Sequence, residues 1–103
     1  MAEVIITKQN FQSEVLESDV PVLLDFWESW CVTCMMLAPI MAEIGEGYEG
    51  KAKVGKVNVD ECPELAAQYG ISSIPTVLLF KEGKLCGTSI GLRPKFFFEE
   101  MLK

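Results

Sequence analysis

Val22-Leu23-Leu24-Asp25-Phe26-Trp27-Glu28-Ser29-Trp30-Cys31-Val32-Thr33-Cys34 is the stretch from which the rest of the chain is read. Its first six residues are almost continuously apolar, broken by Asp25 alone. A strand covered on both faces reads this way. Beyond Cys34, the residues Leu37, Met41 and Ile44 recur at helical spacing, so a long helix is expected over residues 34–48. Pro39 lies inside it and should kink it, because proline deletes one backbone hydrogen bond. Two thiols three positions apart therefore stand where a buried strand hands over to a helix.

The flanks supply the rest of an alternating α/β pattern. Residues 4–7 read as a short strand, and Asn10 is the expected cap of a helix through residue 17, with Phe11 and Val15 one turn apart on its buried face. Residues 53–59 form a third strand. Pro63 just inside a helix and Gly70 just past its end follow the usual asymmetry of those two residues. Residues 76–80 and 85–89 are strands around the turn Lys81-Glu82-Gly83-Lys84, and Pro94 opens a last helix with Phe97, Phe98, Met101 and Leu102 on one face. The first part of this order demands parallel pairing through helical crossovers, and the closing hairpin demands an antiparallel edge. No linker or repeat interrupts residues 1–103, so one domain is expected.

Composition removes whole classes of function. Half of the 103 residues are hydrophobic and 23% are charged, enough for a packed core. Nine basic against 15 acidic residues leave a net charge of −6, which repels polyphosphates and argues against nucleic-acid binding. The chain has no histidine. That eliminates Ser-His and Cys-His nucleophile pairs, a His general base and His metal ligands. The early Glu3 and the short apolar run at residues 4–6 do not make a signal peptide, and the longest uncharged apolar stretch, residues 35–42, is far from the roughly 20 residues of a membrane span. A reducing, cytoplasmic setting without membrane association is expected. The four cysteines are unequally spaced, unlike a secreted disulfide framework.

A helix N-terminus points unpaired N–H groups and a partial positive charge at the first sulfur, which favours thiolate over thiol and makes Cys31 the nucleophile. Cys34, one turn inside the helix, should be more buried and act as the resolving thiol; the two can close a disulfide. Thr33 offers an N–H where a proline would have none, within reach of the Cys31 sulfur, and a hydroxyl that can add to it. Zinc sites also use C-x-x-C, but a ribbon needs a second such pair, and Cys62 and Cys86 are isolated. No metal and no cofactor are expected. Asp25 is costly to bury. It is either a strand-end carboxylate reaching water or a desolvated one, held above the usual range and able to take the Cys34 proton. Lys56 is either its partner or a solvated edge lysine. Met35-Met36 and Phe96-Phe97-Phe98 read as core packing, and Cys62 and Cys86 as small packing residues.

Taken together, these residues resemble the thioredoxin family over essentially the whole chain. The likeness rests on several stretches in order. Asp25-Phe26-Trp27-Glu28-Ser29-Trp30-Cys31 is similar to the family's strand-to-active-site segment, and Leu37-Ala38-Pro39 to its kinked helix. Lys56-Val57-Asn58-Val59-Asp60 is similar to its third strand, Gly70-Ile71 with Ile74-Pro75-Thr76 to its cis-proline loop, and Phe80-Lys81-Glu82-Gly83-Lys84 with Gly91 to its final hairpin. The resemblance implies a central mixed sheet of about five strands flanked by about four helices. It also implies a cis Pro75 facing the cysteines and Asp25 buried behind Cys34. Substrate would bind in a groove formed by Trp30, Ile74, Pro75 and Gly91, with Val32 and Thr33 at its edge. The implied activity is reduction of protein disulfides by a monomer that a thioredoxin reductase recharges. Two departures stand out: Val32-Thr33 replaces the family's usual Gly-Pro, and Pro94 starts the last helix. The first leaves an oxidase or isomerase poise open. A non-catalytic binding module is the reading from another class.

Overall fold

The computed structural model describes residues 3–103; Met1 and Ala2, part of the expected domain and of the stretch searched for a leader, lie outside them. Five strands form one sheet: β1 (Glu3–Ile5), β2 (Val22–Trp27), β3 (Lys53–Asn58), β4 (Thr76–Lys81) and β5 (Lys84–Ile90), in the spatial order β1-β3-β2-β4-β5. Helix α1 (Val32–Gly47), α2 (Pro63–Gln68) and α3 (Lys95–Met101) cover it, with a π-helical segment at Gln12–Leu16. The expected mixed sheet with four helical segments is what the chain adopts. β1, β3 and β2 pair in parallel; β4 is antiparallel to both β2 and β5. β2 thus lies in the middle, which is why it is apolar on both faces.

Strand alternation sorts the core into two layers. Val22, Leu24 and Phe26 pack with Phe11, Val15, Val57, Leu65 and Phe80 on one face. Leu23 packs with Leu37, Met41 and Ile44 of α1, Val54 of β3 and Phe98 of α3 on the other. By the same alternation, Asp25 and Lys56, register partners on β2 and β3, fall on the α1 face. The β4–β5 turn has Glu82 at φ 53° and Gly83 at φ 78°, the double left-handed geometry that a two-residue hairpin needs to match strand twist.

Several expectations are corrected. Asn10 does not cap the helix ahead of it: its Oδ1 accepts from the Thr7 amide at 2.7 Å and its Nδ2 donates to the Ile5 carbonyl at 2.9 Å. The chain already turns at Thr7, so β1 ends earlier than expected, and the helical segment closes wide, with the Glu17 amide donating to the Gln12 carbonyl at 2.9 Å. α1 begins at Val32, two residues before the expected start, because Cys31 is its N-cap. That register turns Cys34, Leu37, Met41 and Ile44 inward and leaves Met35 and Met36 exposed, so they are not core residues. Phe98 fills the core position of α3 while Phe96 faces solvent. Cys62 is buried as expected, but Cys86 is exposed on β5, the sheet edge, so it is not a core packing residue.

Candidate active site

The site is assembled where the C-terminal end of β2 meets the start of α1. Cys31 and Cys34 are joined as a disulfide with their Cα atoms 5.2 Å apart. Cys34 is 1% exposed and Cys31 8%. The outer sulfur is therefore the one a macromolecular disulfide can approach. An N-cap acceptor ordinarily takes the amide of the second or third helical residue, and here the Cys31 sulfur takes the Cys34 amide at 3.2 Å. The second polar neighbour of that sulfur is the Thr33 hydroxyl at 3.5 Å, the addition expected beside the Thr33 amide. A third neighbour, the Ile74 carbonyl oxygen, lies 3.8 Å away.

Ile74 and Pro75 reach the sulfur from the segment before β4, through a cis Ile74–Pro75 bond. The Thr76 hydroxyl ties this segment to the Ser73 carbonyl at 2.6 Å, and the Gly91 amide donates to the Pro75 carbonyl at 2.8 Å. Gly91 sits at φ 91°, a conformation L side chains rarely adopt, and this brings its amide against Pro75. Trp30 is 69% exposed and Val32 73%, with Thr33 exposed beside them. Of the groove residues named from the resemblance, Thr33 and Ile74 approach the Cys31 sulfur, and Gly91 is tied to Pro75.

Asp25 is fully buried on β2. Lys56 Nζ lies 3.1 Å from its Oδ2, and Glu3 lies 3.9 Å from the same ammonium. Burial outweighs the pull of Lys56 and holds the Asp25 carboxyl above the usual range. Of the two readings of Lys56, the structure has the partner: its side chain is 15% exposed, lies over the Trp27 ring at 5.5 Å, and borders a cavity of about 160 Å³ shared with Asn58 and Cys62. Among the described residues no cluster of three or more Cys, Asp or Glu side chains is arranged to hold a metal ion, so Cys62 and Cys86 do not join the pair in a four-thiolate site.

Sequence reading missed Glu28 and Asp60. Glu28 is 3% exposed, its Oε1 accepting from the Ser29 amide and hydroxyl, and Asp60 Oδ2 accepts from Trp30 Nε1 at 3.4 Å. The one available signal was an acidic residue placed directly after a strand buried on both faces.

Comparison with known proteins gives one answer. The family model described as Thioredoxin matches residues 2–103. The chain is 54% identical over 89 residues to the thioredoxin of Chlorobaculum thiosulfatiphilum, covering 86% of this chain and 82% of that protein. It is 51% identical over 98 residues to thioredoxin 1 of a Nostoc species, covering 95% and 92%. It is 53% identical over 90 residues to the thioredoxin of Rickettsia bellii, covering 87% and 86%.

Proposed function

The chain belongs to the thioredoxin family and is a dithiol–disulfide oxidoreductase, and we propose that Cys31 is its attacking sulfur, Cys34 its resolving sulfur and Asp25 the acceptor of the Cys34 proton. The observation that carries this assignment is the asymmetry of the pair: the Cys31 sulfur faces the Ile74–Pro75 groove and takes the helix-start amide, while Cys34 is enclosed. The Cys31 thiolate displaces one sulfur of a substrate disulfide, which leaves as a thiolate and takes a proton from water. The Cys34 thiol gives its proton to the Asp25 carboxylate and attacks the Cys31 sulfur. The Cys31–Cys34 disulfide forms and the second substrate sulfur is released, so two electrons have passed to substrate. With no histidine in the chain, a buried carboxyl held above its usual range suits a group that must take up and return a proton.

Trp30, Val32, Thr33, Ile74, Pro75 and Gly91 form the docking edge in this reading, Lys56 positions Asp25, and residues 1–103 act as one domain. The substrates are disulfide-containing proteins, a thioredoxin reductase recharges the pair, and the setting is cytoplasmic and monomeric. No helix among the described residues is long and apolar enough to cross a membrane. Insulin provides the test: catalytic amounts of the protein, with NADPH and a thioredoxin reductase, should accelerate precipitation of the freed B chain. No acceleration over reductant alone would mean a binding module with an idle dithiol.

One observation favours a more oxidising poise than a Gly-Pro site would have. The Thr33 hydroxyl can donate to the Cys31 thiolate, and a donor to the thiolate stabilises the reduced state. Thr33→Val keeps the shape and removes the donor. It should make the potential of the pair more negative by about 20–40 mV, since about 1.4 kcal/mol corresponds to about 30 mV for two electrons. Equilibration against a glutathione buffer measures it; a shift to a less negative potential would show that Thr33 does not act through its hydroxyl.

A further inference from the structure

Lys56 carries one positive charge and stands between two carboxyls. The strand register explains how. Asp25 of β2 is the register partner of Lys56 on one side, and Ile5 of β1 is its partner on the other. Ile5 brings no charge. Glu3, two residues earlier on β1, falls on the same face and is the diagonal neighbour that a long side chain can reach. The ammonium is 3.1 Å from Asp25 Oδ2 and 3.9 Å from Glu3 Oε2. The second distance is too long for a hydrogen bond but short enough for attraction between charges. Glu3 Oε2 and Asp25 Oδ1 are both buried and take no hydrogen bond among the described residues. The mechanism uses Asp25 and Lys56 and leaves Glu3 without a role.

We propose that Glu3 is a positioning residue for disulfide exchange: it holds the Lys56 ammonium when Asp25 takes the Cys34 proton, and so keeps Asp25 a ready acceptor. The proposal rests on the reading of Asp25 as that acceptor. While Asp25 is ionised, Lys56 is its counterion. Once the proton arrives Asp25 is neutral, and a largely buried ammonium with no anion beside it would be costly. Glu3 removes that cost after a small swing of the lysine stem. Lys56 keeps its own proton throughout; only its counterion changes. The charged groups that act on Asp25 are Lys56, which favours the carboxylate, and Glu3, which favours the neutral acid. From β4 the residue opposite Asp25 is Val77, and α1 carries no charged residue before Glu43, only Cys34 and the cap Cys31. Glu61, after β3, borders the Lys56 cavity, and Glu28, after β2, is held by Ser29.

The test follows the Asp25 carboxyl carbon resonance against pH in the oxidised protein, where neither Cys31 nor Cys34 titrates. Glu3→Gln keeps the shape and removes the anion, and the Asp25 midpoint should fall by about 0.5–1 pH unit. In a Lys56→Gln background the same substitution should move the midpoint by at most about half as much, because no ammonium is left to hand over. Resolution is then read after rapid mixing of the reduced proteins with insulin. An acceptor with a lower midpoint stays ionised further into acid. The ratio of Glu3→Gln to wild-type rates for decay of the Cys31 mixed disulfide should therefore be about 3–10 well below the wild-type midpoint and fall to about one or less above it. An unmoved or rising midpoint in Glu3→Gln, or a shift undiminished without Lys56, overturns the shared ammonium. A lowered midpoint with a flat rate ratio overturns Asp25 as the proton acceptor instead, and leaves the sharing of Lys56 intact.

Discussion

Cys31→Ser is expected to bring disulfide reduction down to the level of the reductant alone, because serine at this N-cap keeps the acceptor but is not a thiolate nucleophile. Cys34→Ser should have a different outcome. The Cys31 sulfur still attacks, resolution fails, and the protein accumulates as a mixed disulfide with its substrate through Cys31. Mass spectrometry of the trapped species locates the bond. The burial difference argues for this order, since Cys34 is enclosed by the first turn of α1 while Cys31 borders Ile74. Trapping through Cys34 in Cys31→Ser, with none in Cys34→Ser, would reverse the roles.

The second large effect is on stability. Asp25→Ala should stabilise the oxidised protein by about 1–3 kcal/mol at neutral to alkaline pH, the usual cost of a buried polar group poorly compensated by hydrogen bonds. The sign follows from the raised carboxyl. The folded protein binds this proton more tightly than the unfolded chain does, so stability is greatest below the ordinary Asp range and falls as pH rises through the raised value. Alanine removes that dependence, and its advantage is smallest in acid and grows with pH. Removing one member of a buried ion pair usually strands the other. Here Lys56 keeps Glu3 at 3.9 Å, the Trp27 face and the adjoining cavity, so it is not left alone. Denaturant titrations of both proteins across pH measure the gap. The same substitution should prolong the life of the mixed disulfide, because Cys34 loses its proton acceptor. A less stable Asp25→Ala with unchanged turnover would make Asp25 a structural anchor and remove it from the mechanism.

Much of this molecule is legible without coordinates because its signals are local. The apolar run of β2, the Pro63–Gly70 bracket of α2 and the Glu82-Gly83 turn each report backbone preferences within a few residues. The dithiol at a strand-to-helix junction is equally local, and with the absence of histidine it names the chemistry before any contact is known. Errors appear where a local rule has two solutions. An asparagine serves a helix cap or a turn equally well, and the Asn10 side chain holds the turn after β1, accepting from the Thr7 amide and donating to the Ile5 carbonyl. Sulfur is not among the usual cap acceptors, so the true start of α1 at Val32 was hidden, and with it the exposure of Met35 and Met36.

The element order, the buried central strand, the redox pair and the oddly placed Asp25 can all be read from the sequence: these depend on periodicity, turn geometry and the chemistry of side chains. Tertiary structure alone decided that β4 runs antiparallel beside β2, that Lys56 faces Asp25 across the β2–β3 register, and that Ile74 meets the Cys31 sulfur from 43 residues away. It also decided that Glu28 is buried rather than solvated. Each of these is a contact between segments distant in the chain. No spacing in the sequence encodes it, because whether a charge meets water or a buried partner is set by which strand and which turn pack beside it.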